Sequence, residues 1–240
     1  MAAAPLSKAI AVYCGSSLGK QQAHANAALS VGRALAAQNR PLVYGGGQQG
    51  LMGIVSNAVL QNGGEVTGVI PFAMHAAGGE QDKTSKDQPA KADVENSDPG
   101  KMQTIIVDSM HERKVEMASR SVGFIGLPGG FGTFEEIFEV TTWTQLGIHS
   151  KPVVLLNVLS FFNPLRQLIE NGTKEGYINP ANQRLIVFVD GPSSHDEHEK
   201  FDWGTAALEA IETWKGDDTK SRFNWRQKKD GSSSVSLESV

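Results

Sequence analysis

Two adjacent carboxylates, Glu135 and Glu136, directly follow the glycine-rich stretch PGGFGTF at 128–134. The apolar run at 122–127 predicts a buried strand, and residues 134–147 predict a helix. A glycine turn between a strand and a helix leaves backbone N–H groups available to an anion, and the helix dipole adds partial positive charge there. The pattern therefore indicates a phosphate site with an acid beside it, as chemistry on a phosphorylated small molecule requires.

The same residues also fit a purely structural interpretation. Thr133 and Glu136 have the spacing of a capping box, with Thr133 as the N-cap and Glu136 at the third helical position. The helix dipole alone also favours acids in a first helical turn. From this stretch by itself, both interpretations stay open.

A second glycine cluster, GGGQQG at 45–50, follows the β-type run 42–44 and precedes a predicted helix at 51–62. Its spacing satisfies G-x-G-x-x-G, the pattern of dinucleotide-binding loops. Those folds place an acid for the ribose at the end of the next strand, whereas Glu65 opens the next predicted strand. Two glycine loops at strand ends fit better a mononucleotide across the carboxyl edge of a parallel sheet.

The third element is Met110-His111-Glu112-Arg113-Lys114, at the start of a predicted helix. On that helix one stripe carries Met110, Lys114, Met117 and Ser121, and Arg113 lies on its edge beside Met117. Its guanidinium either extends along apolar surface into solvent or points into a site. Arginine is also suited to forked recognition of phosphate or carboxylate oxygens.

Taken together, six stretches resemble the LOG ("lonely guy") family of cytokinin riboside 5′-monophosphate phosphoribohydrolases. They are VYCGSS (12–17), VYGGGQQGLMG (43–53), VTGVIP (66–71), MHERK (110–114), LPGGFGTFEE (127–136) and TWTQLGIHSKPV (142–153). The resemblance covers residues 8 to about 215. Two features depart from the family: Gln48-Gln49, and a long polar stretch at 73–101.

The resemblance implies particular site residues. Arg113 and Glu136 match the catalytic positions. The residues that match nucleotide-holding positions are Gly46, Gly47, Lys114, Gly130, Phe131, Gly132, Thr133, Phe134, Glu135 and Thr142. A substrate-contacting Glu belongs in the stretch 73–101, where Glu95 is our choice and Glu80 is the alternative.

The implied reaction is hydrolysis of the N-glycosidic bond of a cytokinin riboside 5′-monophosphate, with no metal or redox cofactor. The alternatives are a broader AMP or purine nucleotide phosphoribohydrolase and a nucleotide-binding module without turnover. Similar family members are homodimers, so we expect a homodimer here. The apolar residues expected to build it lie on the helices 109–120 and 134–147: Met110, Met117, Phe134, Ile137, Phe138, Trp143 and Leu146.

Short apolar runs alternate with helical segments along the chain. This pattern predicts an α/β, Rossmann-like single domain over residues 1–215, with a mostly parallel sheet of about seven strands and helices on both faces. Residues 73–101 are predicted to be a long polar loop. Residues 216–240 are polar and are predicted to be a disordered tail.

The composition narrows the function further. A net charge of −4 and a pI near 5.9 argue against a nucleic-acid surface. The single cysteine, Cys14, cannot form an internal disulfide, which suits a reducing compartment. The N-terminal MAAAPLSK has neither the basic start nor the apolar core of a signal peptide, and no apolar run is long enough for a membrane span. We therefore expect a cytoplasmic protein without membrane partners.

Overall fold

The computed structural model describes residues 8–78, 101–216, 223–225 and 227. Seven strands lie within them: β1 (Ile10–Tyr13), β2 (Leu42–Tyr44), β3 (Val66–Pro71), β4 (Met102–Val107), β5 (Gly123–Gly126), β6 (Val153–Leu156) and β7 (Ile186–Val189). They form one sheet in the order β4-β3-β2-β1-β5-β6-β7, and every neighbouring pair is parallel. The predicted fold class is confirmed.

The α-helices are α1 (Gln22–Ala37), α2 (Gly50–Gln61), α3 (Phe72–Ala76), α4 (Met110–Arg120), α5 (Phe131–Leu146), α6 (Asn163–Lys174) and α7 (Trp203–Thr213). Short 3₁₀ turns lie at Val158–Ser160, Pro180–Leu185 and His195–Glu197. The helices predicted at 51–62, 109–120 and 134–147 are present as α2, α4 and α5. Among the described residues, no helix has the length and apolar character needed to cross a bilayer.

Helices cover both faces of the sheet, which explains why the strands have no polar alternation. Strand β1 sends Ile10 and Val12 into a cluster beneath α1, α2 and α7. It sends Ala11 and Tyr13 into a second cluster beneath α4 and α5. That second cluster buries three residues that the sequence assigned to a dimer surface: Met117, Ile137 and Trp143. That part of the assignment is wrong, because these side chains pack on their own sheet.

The sheet has a topological switch point between β1 and β5. From β1 the chain moves outward through β2, β3 and β4, and it then returns to place β5 on the other side of β1. The connections after β1 and β5 therefore leave in opposite directions and open a crevice at the carboxyl ends of the strands. In open parallel sheets this crevice is where ligands bind.

The start of α5 differs from the prediction. The helix begins at Phe131 rather than Phe134, with Gly130 at the N-cap and no side-chain cap hydrogen bond. The first helical bond runs from Phe134 N to Gly130 O at 3.1 Å. Thr133 is therefore inside the helix, and its interpretation as the N-cap of a capping box is wrong. Because Glu136 lies in the second turn, helix capping does not explain its presence.

A capping pair is found instead at α4. The hydroxyl of Ser109 accepts a hydrogen bond from Glu112 N at 3.1 Å, and Glu112 Oε2 accepts one from Asp108 N at 2.9 Å. Such reciprocal bonds satisfy donors that a helix start leaves unpaired. They fix the residue at which α4 begins, and therefore the position of Arg113 along the first turns of this helix.

The predicted long loop and tail are only partly described. Residues 72–76 form α3, and Glu80 and Glu95 fall in 79–100, outside the described residues. In the tail, the indole N–H of Trp225 donates to Leu146 O at 2.9 Å, and its ring packs on the second cluster. The contact orders this part of the predicted tail against α5. For the other tail residues, disorder stays a prediction.

Candidate active site

The N-terminus of α5 is open to a ligand. Gly130 and Gly132 are exposed, and a Cβ at either position would meet no atom within 4 Å. Phe131 between them is 92% exposed. The first N–H groups of a helix have no partner inside it and carry partial positive charge. Space for an anion therefore exists where the glycine motif predicts it.

The loop after β1 ties the two glycine loops together. Gly15 N donates to Pro128 O at 3.1 Å, and Gly15 O accepts from Leu51 N at 3.1 Å. At Gly50, φ is +61° and a Cβ would lie 2.3 Å from the carbonyl of Ser16, so only glycine fits. All three loops thus meet at one edge of the sheet.

The predicted Gly46 and Gly47 are buried in the loop after β2. Gly46 has φ of +78°, and a Cβ there would lie 2.2 Å from the Ile70 side chain. Close packing against β3 therefore accounts for glycine at position 46.

Arg113 and Glu136 come together at this edge. Arg113 is 4% exposed, and its Nη2 donates to Gly45 O at 3.1 Å. The same nitrogen lies 4.0 Å from Glu136 Oε1. Glu136 is 9% exposed. The guanidinium therefore points into the crevice rather than into solvent, and it faces a carboxylate from another helix.

Lys114, the next residue on α4, contacts α5. Its ammonium group bonds to Glu135 and, at 2.9 Å, to Glu139 Oε1. Burial lowers the pKa of Lys114, but the hydrogen bonds to Glu135 and Glu139 outweigh burial, so the pKa is raised overall. Two consecutive cations thus meet three carboxylates of one helix.

A phenol lies beside these carboxylates. Tyr13, at the end of β1, is buried and stacks on Phe124 with ring centroids 5.9 Å apart. Burial, followed by the charges of Glu136 and Glu139, raises the pKa of the Tyr13 phenol well above its usual value. The phenol therefore stays neutral at physiological pH.

The other predicted residues lie at different distances from this centre. Thr133 is buried and Phe134 stacks on Phe161, with ring centroids 6.3 Å apart, so both also support α5. Thr142 is exposed, and its hydroxyl donates to Phe138 O at 2.8 Å. It stands about 9 Å along the helix from Glu136, given a rise of roughly 1.5 Å per residue. Within one chain, Thr142 is therefore too far from the glycine loop to contact a ligand bound there.

Two contacts of this site were not predicted from the sequence. One is the Gly45 carbonyl, which accepts from Arg113. The other is Glu139, which binds Lys114. The signal for Glu139 was its position four residues after Glu135, which puts both on the same side of a helix.

We expect Gly45→Ala to disable the site without unfolding the protein. A Cβ at Gly45 would lie 1.9 Å from Arg113 Nη2, so the guanidinium must leave its place beside Glu136. Misplacement on this scale should lower kcat by roughly tenfold or more. Steady-state kinetics and thermal unfolding of the variant check this.

Gly32→Ala is the matched control. A Cβ there would lie 2.5 Å from Ala58 Cβ, between α1 and α2 and away from the crevice. It should lower Tm but leave kcat per folded molecule within about twofold. A Gly45→Ala variant with wild-type kcat would show that the guanidinium position does not matter.

Comparison with known proteins identifies the family of the chain. The family model described as "possible lysine decarboxylase" matches residues 52–197. A cytokinin riboside 5′-monophosphate phosphoribohydrolase from Arabidopsis thaliana is 42% identical over 180 residues, covering 75% of this chain and 76% of that protein. The chain belongs to the LOG family. The matched segment contains both Arg113 and Glu136.

Further LOG-family relatives give the same result. A rice protein (Oryza sativa subsp. japonica), named a probable cytokinin riboside 5′-monophosphate phosphoribohydrolase, is 44% identical over 183 residues. That alignment covers 76% of this chain and 68% of the rice protein.

Among solved structures, the molybdenum cofactor carrier protein of Chlamydomonas reinhardtii has a TM-score of 0.53 at 17% identity, covering 85% of this chain and 96% of that chain. At that identity the structural likeness shows the fold alone.

Proposed function

We propose that this LOG-family protein hydrolyses the N-glycosidic bond of cytokinin riboside 5′-monophosphates to free base and ribose 5-phosphate. The buried pair of Arg113 and Glu136, 4.0 Å apart beside an open helix N-terminus, is the observation that carries the proposal. Relatives at 42% and 44% identity bear the name of this activity.

The 5′-phosphate is proposed to bind at the start of α5. Backbone N–H groups there have open space in front of Gly130 and Gly132. They favour a dianion through hydrogen bonds and through the helix dipole. A phosphate held at this end leaves the sugar within reach of the second helical turn, where Glu136 lies.

Cleavage breaks the bond between ribose C1′ and the base nitrogen, and the bonding electrons leave with the base. Positive charge develops on the ribosyl group, as in other glycosyl transfers. The Glu136 carboxylate would stabilise that charge and orient the water that adds to C1′. The water supplies a hydroxyl to ribose 5-phosphate and a proton that balances the departing base. Arg113 would bind sugar or phosphate oxygens and hold the ribose in place.

The local charges suit a cationic transition state. Three carboxylates, Glu135, Glu136 and Glu139, face two cations, Arg113 and Lys114. The excess negative charge favours positive charge developing nearby, with the phosphate held apart at the helix start. A module that only binds nucleotides gains nothing from a carboxylate placed there, so an enzyme is favoured.

A substrate comparison tests the proposal and its nearest rival. Isopentenyladenosine 5′-monophosphate and AMP are incubated separately with the protein, and the base and ribose 5-phosphate are quantified by chromatography. We expect equimolar products and a kcat/KM at least about tenfold higher for the cytokinin nucleotide. Equal kcat/KM values would identify a broader purine nucleotide phosphoribohydrolase. Binding without any product would identify a module without turnover.

We also propose that the protein is a homodimer built on the exposed side of α4 and α5. Met110 and Phe138 are 46% and 41% exposed there, whereas Met117, Ile137 and Trp143 of the same helices are buried. Thr142 lies one helical turn from Phe138 on that side. A second copy packed here would bring Thr142 to the partner's nucleotide, which explains its distance from its own glycine loop.

Light scattering tests the assembly. We expect twice the chain mass of 25.7 kDa for the wild type and a monomer for Phe138→Asp, because a buried unpaired charge opposes association. Leu168→Asp is the control, since Leu168 is 61% exposed on α6. It should remain dimeric. A wild-type mass of one chain would contradict the proposed dimer.

A cytoplasmic location is proposed on the cysteine content. Cys14 is the sole cysteine of the sequence, so it has no second cysteine in the chain for a disulfide, and it lies buried directly after β1. A chain without disulfides is compatible with a reducing compartment. The proposed reaction uses the chain's own acid and hydrogen-bond donors, so it requires no metal or redox cofactor.

A further inference from the structure

One charged contact joins the two helices that carry the proposed catalytic residues. Lys114 on α4 is 14% exposed at its side chain and binds Glu135 and Glu139 on α5 together. Arg113 and Lys114 are consecutive, and Glu136 lies between the two carboxylates in sequence. The contact therefore spans the same helical turn that presents Glu136 to Arg113.

We propose that Glu139 is a positioning residue, which acts through Lys114 to fix α5 against α4 and thereby sets the separation of Arg113 and Glu136. The proposal rests on the catalytic assignment of Arg113 and Glu136 in the proposed function. In this proposal Glu139 adds to the negative charge of the site but contacts neither the nucleotide nor the attacking water.

The geometry explains why two carboxylates are needed for this task. Glu135 and Glu139 are one turn apart on the same side of α5, and Glu136 is about 100° around the helix from Glu135. A single contact would allow α5 to rotate or slide. Contacts one turn apart oppose both movements, because either one lengthens at least one bond to Lys114. Displacements of about 1 Å are enough to slow an enzyme markedly.

The two carboxylates are not equivalent. The Glu135 side chain is 50% exposed, whereas that of Glu139 is 22% exposed. Glu139 Oε2 is buried and has no hydrogen-bond partner among the described residues. Water screens the exposed contact more strongly, so the Lys114 contact with Glu139 should hold the helices more firmly.

Lys114 could act in two ways, and the two predict different kinetic effects for the loss of Glu139. If Lys114 mainly bound the nucleotide, loss of its partner Glu139 would change KM. If the contact with α5 mainly positions Glu136, loss of Glu139 leaves substrate binding at the open helix start intact and lowers kcat.

The test compares Glu139→Gln with Glu116→Gln. Glu116 also forms an ion pair on α4, with Arg120, so the control removes one charge and one ion pair away from the crevice. With isopentenyladenosine 5′-monophosphate, we expect Glu139→Gln to lower kcat roughly 10- to 100-fold and to change KM less than about twofold. Glu116→Gln should keep both constants. Glu139→Asp, which retains the charge, should recover part of kcat.

A double variant shows whether Glu139 acts through Lys114. If it does, Lys114→Met/Glu139→Gln should have the kcat of Lys114→Met alone, because the contact is already lost. Multiplicative losses, a wild-type kcat for Glu139→Gln, or a change confined to KM would overturn the inference while leaving the proposed function standing. An inactive wild type would overturn the proposed function and this inference with it. Thermal unfolding of each variant separates lost turnover from lost fold.

Discussion

Replacing Glu136 by Gln should lower kcat for isopentenyladenosine 5′-monophosphate by about a hundredfold or more, the size commonly seen when one charge-stabilising group is removed. The amide matches the carboxylate in shape but can neither offset positive charge on the ribose nor accept a proton. Glu136 lies in the second turn of α5, which has no side-chain cap, so the helix start is not affected. Steady-state kinetics gives the loss, and a single cooperative thermal transition well above the assay temperature shows that the fold survives.

Glu209→Gln is the matched control, because it makes the same isosteric change on an exposed position of α7. Its kcat should equal that of the wild type. If Glu136→Gln also keeps nearly normal turnover, the carboxylate is not catalytic and the mechanism is wrong.

The second large effect is expected for Arg113→Lys, which should lower kcat/KM by roughly a hundredfold. The planar guanidinium contacts Gly45 O and faces Glu136 at the same time. One lysine ammonium lacks the fixed fork that makes such a geometry possible. Kinetic constants and Tm are measured for this variant and for Arg113→Met, which should also lower Tm because Glu136 then stays buried without its cation.

Arg166→Lys serves as the control for the arginine variants. Arg166 binds Asp190 at the surface through Nη2, so replacement there should leave kcat/KM within about twofold. Arg113→Lys with full activity would remove Arg113 from the mechanism.

The fold was predictable because its signals are local. Short apolar runs mark strands buried on both faces, and Gly45–Gly50 and Pro128–Gly132 mark turns at their ends. The carboxyl ends of parallel strands share one edge, so the two glycine loops had to come near each other. Strand β1 pairs with both β2 and β5 because the chain, after reaching β4 at one edge, returns to the other side of β1.

The failures came from contacts distant in sequence. Glycine-rich residues have low helix propensity, so Phe131–Thr133 was predicted as loop, although the bond from Gly15 N to Pro128 O holds the segment just before α5. Likewise, Ile137 and Trp143 were assigned to a dimer because periodicity shows that a helix face is apolar without showing what covers it. The separation of Arg113 and Glu136 could not be predicted either, because it depends on how α4 is placed relative to α5.

The central proposal is that the chain holds a nucleotide by its 5′-phosphate and cleaves its N-glycosidic bond. The most direct test is the ratio of kcat/KM for isopentenyladenosine 5′-monophosphate to that for isopentenyladenosine, measured by base release under identical conditions. Phosphate binding at the start of α5 can be used to stabilise the transition state at the distant sugar, so we predict a ratio of at least about a thousand. A riboside cleaved as fast as its monophosphate would contradict this function.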